Sequence, residues 1–131
     1  RGREAKPWPP SAMGPSCGLK STADDLLTFV RANLRARDEE LSEAFEAVQQ
    51  PYVDVRFPGW DRSTQAGYGW LVSLLSEESN LPVTWLSGGT SGHRSFVGFV
   101  KDTRTGVIIL SNNAEPVSEL GFAVLGLIHK P

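Results

Sequence analysis

The segment WLSGGTSGHRSFVGFVKDTRTGVIILS, residues 85–111, decides the fold of this chain. It contains two runs rich in β-branched and aromatic residues, Arg94–Val100 and Thr105–Ser111, and the turn-forming string KDTRTG joins them into a predicted β-hairpin. A short strand over Val83–Leu86 is predicted before them, with the glycine-rich stretch GGTSG as a turn in between. Such a turn is either a simple connection or a place where the backbone comes close to a ligand.

Helices are predicted on both sides of this region. The first begins at the N-cap Ser21, which Asp24 follows three residues later, and it carries apolar residues at helical spacing. A second helix is predicted over Asp38–Gln49 and ends before Pro51. Pro116 opens the last helix, whose apolar residues share one face.

Few helices or strands are predicted in the remaining segments. Residues 1–20 are rich in proline and are expected to form an extended loop, and Gly67–Leu75 is predicted as a strand. The signal over Tyr52–Ala66 is weak. The chain is therefore predicted to have an α+β fold, an antiparallel three- to four-stranded sheet with packed helices.

Composition narrows the possible functions. The chain has 131 residues, a net charge of -2 and no concentration of basic residues, which argues against nucleic-acid binding. No apolar run is long enough to predict a membrane span. One cysteine, Cys17, and two distant histidines predict no metal site, and no cofactor is expected. The cellular compartment stays open.

Two local interpretations of the glycine-rich stretch are disfavoured. A phosphate-binding loop would need a lysine and a following helix, whereas a strand follows here. His93 is close in sequence to Ser87, Ser91 and Ser95, but a nucleophile and its base are paired in space, not in sequence. We expect His93 to be a rim or packing residue, as histidines at strand ends usually are.

Four aromatic residues are candidates either for a pocket lining or for the core: Trp60, Tyr68, Trp70 and Trp85. Core packing is the expectation for Trp70, because aromatic side chains bury large areas. For Trp60, in a loop beside Gly59 and Asp61, both interpretations stay open.

Three separated blocks carry a resemblance to a known family. They are CGLKSTADDLLTFVRANL (17–34), GYGW (67–70), and LSGGTSGHRSFVGF followed by TGVIILSNN (86–113). In order and spacing they resemble the C-terminal part of the serine β-lactamase-fold hydrolases, with class C β-lactamases and the related D-alanyl carboxypeptidases and esterases as the nearest branches. The resemblance implies the C-terminal portion of a β-lactamase/transpeptidase-like fold over residues 21–131.

The resemblance also implies roles for individual residues. A strand at the edge of the family's active site carries a Lys/His-Thr/Ser-Gly triplet, and Leu86, Ser87 and Gly88 stand at its three positions here. Gly89 then matches the residue whose backbone N–H helps to form the oxyanion hole. Ser87 and Asn112 match residues on the substrate side. The resemblance also implies that the substrate is a small-molecule amide, lactam or ester.

The chain also departs from the family pattern. Leu86 replaces the basic residue of the triplet, and His93 stands where an aromatic residue is usual. The sequence contains neither the nucleophile motif Ser-x-x-Lys nor the motif Tyr-x-Asn. We therefore expect an N-terminal part of the same hydrolase to supply the nucleophile and its base, and the chain to be incomplete as a catalytic unit. A non-catalytic binding module or pseudoenzyme fragment is the alternative.

Overall fold

A computed structural model describes residue 4, residue 6 and the ranges 14–35 and 38–130. The elements, in chain order, are α1 (Gly14–Cys17), α2 (Ala23–Arg35), α3 (Glu39–Gln49), β1 (Val53–Val55), β2 (Thr64–Ala66), β3 (Leu71–Leu74), β4 (Pro82–Thr90), β5 (His93–Val100), β6 (Thr105–Ser111) and α4 (Ser118–Ile128). The loop expected over 1–20 lies largely outside the described residues, and its described part includes the single helical turn α1.

The six strands form one antiparallel sheet in the order β1-β2-β3-β4-β5-β6, so each strand pairs with its neighbours in sequence. The predicted α+β class and the β5–β6 hairpin are confirmed. The sheet has more strands than the three or four predicted, because the strands β1 and β2, with three residues each, were not predicted. Strands this short are difficult to recognise from alternation of apolar and polar residues.

Each face of the sheet packs on a different helix. On one face, Phe96 and Trp85 pack against Phe122 of α4 and are part of the larger buried cluster. On the other face, Phe99 packs against Trp70 and Val30 of α2. This arrangement follows from the pleat, which directs successive side chains of β5 to opposite faces.

Two predicted boundaries, the start of α2 and the start of β3, differ from those in the structure. The α2 helix is capped by Thr22, not Ser21: the Thr22 hydroxyl oxygen accepts the backbone N–H of Asp25 and donates to its carboxylate. The predicted strand over Gly67–Leu75 is shorter, because GYGW forms the β2–β3 turn and Gly69 takes a φ of 115°. Such a φ is open to glycine at little cost, so the chain leaves the sheet there.

The second helix agrees with its prediction, since Asp38 caps α3 by accepting the N–H of Leu41. The last helix begins at Ser118, two residues after the proline predicted to open it. Within the described residues, no helix has the length and apolarity needed to cross a membrane.

The contact between α4 and the sheet generates a testable prediction. A Cβ at Gly121 would clash with the ring of Phe96, which is fully buried, whereas a Cβ at Gly126 would meet nothing within 4 Å. We expect Gly121→Ala to lower the free energy of unfolding by about 1–3 kcal/mol through overpacking. The control Gly126→Ala in the same helix should raise it by about 0.5–1 kcal/mol, because alanine is the better helix former. Urea unfolding of both variants measures the difference, and equal effects would contradict the packing described.

Candidate functional site

Strand β4 extends beyond its neighbour β3, whereas β6 stays paired with β5 as far as Arg94. Strand β3 pairs with β4 only as far as the Leu71–Trp85 pair, whereas β5 pairs with β4 up to Thr90. Residues 86–90 of β4 therefore have β5 on one side and no strand of the described sheet on the other. At the usual rise per residue of a strand, this open edge is about 17 Å long.

The register of the hairpin determines which backbone groups face the open edge. Only Ser91 and Gly92 connect the paired residues Thr90 and His93, and in such a two-residue connection the closing pair is hydrogen-bonded. Antiparallel pairing alternates, so every second residue of β4 directs its N–H and C=O away from β5. Gly89 and Ser87 are the residues of the projecting part that do so. Their backbone groups are directed toward the open edge.

The two glycines of this edge lie in a strand, which corrects the prediction of a glycine turn over GGTSG. Gly92 alone of these residues has a positive φ, 72°, and the turn is restricted to Ser91 and Gly92. Gly88 and Gly89 leave room for side chains of β5. A Cβ at Gly88 would lie 2.8 Å from Ser95 Oγ, and one at Gly89 would lie 2.6 Å from Arg94 Nη1.

Arg94, which the sequence pattern did not single out, lies directly beside Gly89. It is paired with Gly89 across the hairpin, and directly paired residues have their side chains on the same face of a sheet. The half-buried Arg94 side chain covers Gly89, and its Nη1 donates to the main-chain oxygens of Thr90 and His93 at 3.1 Å each. A signal was available in the sequence, since a two-residue turn at Ser91–Gly92 implies this pairing.

The other residues of the predicted triplet are separated by the pleat. The Leu86 side chain is 46% exposed and lies on the α2 face of the sheet, paired with Val97. Ser87 is exposed on the opposite face, paired with Phe96. Within residues 86–89, two properties therefore coincide only at Ser87 and Gly89: the backbone N–H and C=O are directed toward the open edge, and the side-chain position lies on the α4 face of the sheet.

The two remaining candidates lie at the same end of the sheet. His93 is exposed, and its Nδ1 is 3.0 Å from the main-chain oxygen of Ser91, so its ring is turned back on the hairpin turn, as expected of a rim residue. Asn112 is exposed and follows the last residue of β6, Ser111, which pairs with Arg94. Two strand spacings separate β6 from β4, so Asn112 is roughly 10 Å from the open edge.

Buried hydrogen bonds hold the base of the projecting strand. The Trp85 indole Nε1–H donates to Ser73 Oγ at 3.0 Å, and Ser73 Oγ is 2.8 Å from Thr64 Oγ1. The Trp60 indole donates to the same Thr64 hydroxyl at 3.0 Å, and the rings of Trp60 and Trp85 are 5.1 Å apart. These hydrogen bonds connect Trp85 of β4, which immediately precedes Leu86, to β3 and through it to β2.

Three of the four aromatic candidates pack in the core, and the fourth is exposed. Trp70 and Trp85 are buried in the two clusters, as core packing predicts. Trp60 packs against the larger cluster, which decides the alternative left open for it. Tyr68 is 73% exposed and its ring is 4.7 Å from that of Tyr52. Among the residues that the structure describes, no three His, Cys, Asp or Glu side chains are grouped so that they could hold a metal ion.

Comparison with known proteins gives two findings. The family model described as Beta-lactamase matches residues 1–124. Among solved structures, the chain is similar to the octameric penicillin-binding protein homologue from Pyrococcus abyssi, with 23% sequence identity and a TM-score of 0.69. The match covers 82% of this chain and 24% of that chain, so this chain spans about a quarter of that protein's length. At this identity the similarity establishes a shared fold.

The buried network at the base of the hairpin generates a second prediction. Ser73→Ala removes the acceptor of the Trp85 indole N–H, and an unpaired buried donor costs about 1–3 kcal/mol of unfolding free energy. Chemical denaturation measures this loss. Ser63→Ala, which removes an exposed hydroxyl near the same strands, is the control and should change the unfolding free energy by less than about 0.5 kcal/mol. If both variants were as stable as the parent chain, the network would not be what fixes Trp85.

Proposed function

Because the chain belongs to the β-lactamase family, we propose that it supplies the substrate-side strand of a serine hydrolase that acts through an acyl-enzyme. The observation that carries this proposal is the open edge of β4, where the pairing register directs the Gly89 N–H away from β5. A backbone donor on a strand needs no reorganisation when negative charge develops on an acyl carbonyl oxygen.

In this proposal the substrate lies along the open edge of β4. The Gly89 N–H donates a hydrogen bond to the carbonyl oxygen as it becomes an oxyanion. The exposed Ser87 hydroxyl, two residues earlier on the same face, binds a carbonyl or carboxylate of the substrate, and Asn112 contributes from the end of β6. The substrate class is a small amide, lactam or ester, for which serine attack and hydrolysis of the acyl-enzyme complete the reaction.

The nucleophile is proposed to come from another part of a longer polypeptide. The 131 residues contain no Ser-x-x-Lys motif and no Tyr-x-Asn motif. The chain also spans only about a quarter of the solved structure to which it is similar. The partner of the β4 edge is therefore the N-terminal part of the same hydrolase, which positions the serine and its general base opposite Gly89.

A second function, a non-catalytic binding module, is favoured by one observation. Leu86 provides an exposed apolar side chain at the triplet position where the family has a basic residue. Intact mass spectrometry of the full-length protein after treatment with a fluorophosphonate probe separates the two functions. A labelled serine outside these 131 residues supports the hydrolase, and an unlabelled protein supports the binding module. Labelling of a serine within these residues would overturn the proposed division of the site.

The oxyanion role of Gly89 generates a third prediction. Gly89→Pro removes the N–H, and loss of one oxyanion donor lowers turnover by about 10²–10³-fold. Gly89→Ala adds the same Cβ, which meets only the flexible end of Arg94, and retains the N–H, so its turnover should fall by no more than about tenfold. Turnover of a neutral aryl ester by the full-length protein measures both variants.

Folding of the two Gly89 variants is checked by thermal unfolding. The Gly89 N–H is not part of the β4–β5 ladder, so proline at this position removes no ladder hydrogen bond. Similar melting temperatures with very different turnover are expected. Full activity of the Gly89→Pro variant would contradict the proposal that the Gly89 N–H is an oxyanion donor.

A further inference from the structure

A cleft of about 450 Å³ lies between the C-terminal half of α2 and the turn that joins β5 to β6. Three of the five residues that line it are arginines, and the full set is Arg31, Ala32, Leu34, Arg35 and Arg104. Arginine side chains keep their charge in proteins. The volume of the cleft is in the range of small-molecule binding sites.

The packing of α2 on the sheet brings the three arginines together. Arg31 and Arg35 are one turn apart on α2 and therefore share a face of the helix. Val30, the residue before Arg31, packs against Gly106, where a Cβ would lie 2.7 Å from Val30 Cγ1. Because Gly106 is the second residue of β6, this contact holds the turn that contains Arg104 beside the helix.

The charges of this cluster are not neutralised within the part of the chain that the structure describes. No described carboxylate lies within 4.0 Å of a side-chain nitrogen of Arg31, Arg35 or Arg104. This includes Asp102, in the same turn as Arg104, and Glu46, which lines an adjacent cleft together with Arg35. The helix dipole favours a cation in the last turn of α2, but this effect does not account for the arginine of the β5–β6 turn. The cluster therefore has charge available for an anionic ligand.

Arg104 has a backbone conformation that arginine rarely adopts. Its φ is 54°, in the left-handed region that glycine and asparagine enter at lower cost. Its backbone N–H donates to the main-chain oxygen of Lys101 at 3.1 Å. The turn itself gives no reason for an arginine, and a residue kept in a costly conformation indicates a role for its side chain. The positive charge that it adds to the cleft supplies that reason.

We infer that this cleft binds the phosphate group of a small organic phosphate. The N–H groups of a guanidinium match phosphate oxygens in pairs, and a phosphate dianion has three strong acceptor oxygens, enough for more than one arginine. A carboxylate has a single charge and two oxygens, which one arginine can satisfy. The cleft is larger than a phosphate group alone, and Ala32 and Leu34 give it an apolar side for the organic portion.

The cleft is separate from the open edge of β4. Arg104 precedes Thr105, which pairs with the last residue of β5, whereas Arg94 lies near the other end of that strand. The eight residues of β5 span about 25 Å at the usual rise of a strand. Phosphate binding at the cleft is therefore a property of its own and does not depend on the proposed hydrolase activity.

Calorimetric titration of the full-length protein with phenyl phosphate tests this inference, with benzoate as the singly charged comparison. We expect phenyl phosphate to bind at least about tenfold more tightly than benzoate. Arg31→Gln and Arg104→Gln should each weaken its binding by about 10- to 100-fold, because each variant loses charge-assisted hydrogen bonds. Binding should strengthen from about pH 5 to about pH 8, because the second pKa of the phosphate is about 6 and arginine stays charged throughout.

Arg56→Gln is the matched control, because it removes an equal charge from an exposed loop outside the cleft. Its dissociation constant for phenyl phosphate should stay within about twofold of the parent value, since charges beyond a Debye length are screened. An equal loss of affinity in Arg56→Gln and Arg104→Gln would overturn the inference. Absence of phenyl phosphate binding by the parent protein would overturn it as well.

Arg104→Gly separates a loss of binding from a loss of folding. Glycine adopts a positive φ at little cost, so this variant should be at least as stable as the parent protein in thermal unfolding. It should nevertheless bind phenyl phosphate as weakly as Arg104→Gln does. Binding equal to that of the parent protein would show that the arginine is not part of a phosphate site.

Vesicle binding distinguishes the two sources of such a phosphate, a soluble compound and a lipid headgroup. The full-length protein and Arg104→Gln are cosedimented with phosphatidylcholine vesicles that contain about one fifth phosphatidic acid. Retention of the parent protein that is lost in Arg104→Gln supports a lipid headgroup. Phenyl phosphate binding without retention on the vesicles supports a soluble organic phosphate.

Discussion

The two-residue turn of Ser91 and Gly92 sets the register on which the candidate site depends. It pairs Thr90 with His93 and therefore Gly89 with Arg94. A shift of one residue would move every side chain of the hairpin to the other face and would direct the N–H of Gly88, in place of that of Gly89, toward the open edge. The left-handed φ of Gly92, 72°, is what allows so short a connection.

The part of β4 that extends beyond β3 is supported by the residues just before it. Trp85 is held by its hydrogen bond to Ser73, and Phe96 packs against α4, where Gly121 leaves room for its ring. Beyond this support, residues 86–89 are exposed and, within the part of the chain that the structure describes, have a strand on one side only. A rigid base with an open edge is suited to a site where a substrate adds to the strand and where the backbone donor must already be in position.

Much of the fold was predictable from residues 94–111, because their alternation and turn residues are strong signals. The strands β1 and β2 were not, since each has three residues and gains its order from neighbouring strands. The sequence placed Leu86 to Gly89 together, but it did not show that the strand continues to Thr90. Adjacent glycines indicate a turn by composition, whereas Gly88 and Gly89 here provide space for Ser95 and Arg94. The contact between Arg94 and Gly89 depends on pairing between strands, which single-residue patterns do not reveal.

The central claim is that the Gly89 N–H faces the reacting carbonyl of an acyl substrate. A crystal structure of the full-length protein after reaction with a fluorophosphonate tests this claim most directly, because the phosphonyl oxygen stands in for the oxyanion. We expect this oxygen to lie about 2.7–3.1 Å from the Gly89 nitrogen, with the phosphorus bonded to a serine outside these 131 residues. A phosphonyl oxygen bound elsewhere, with no contact to Gly89, would contradict it.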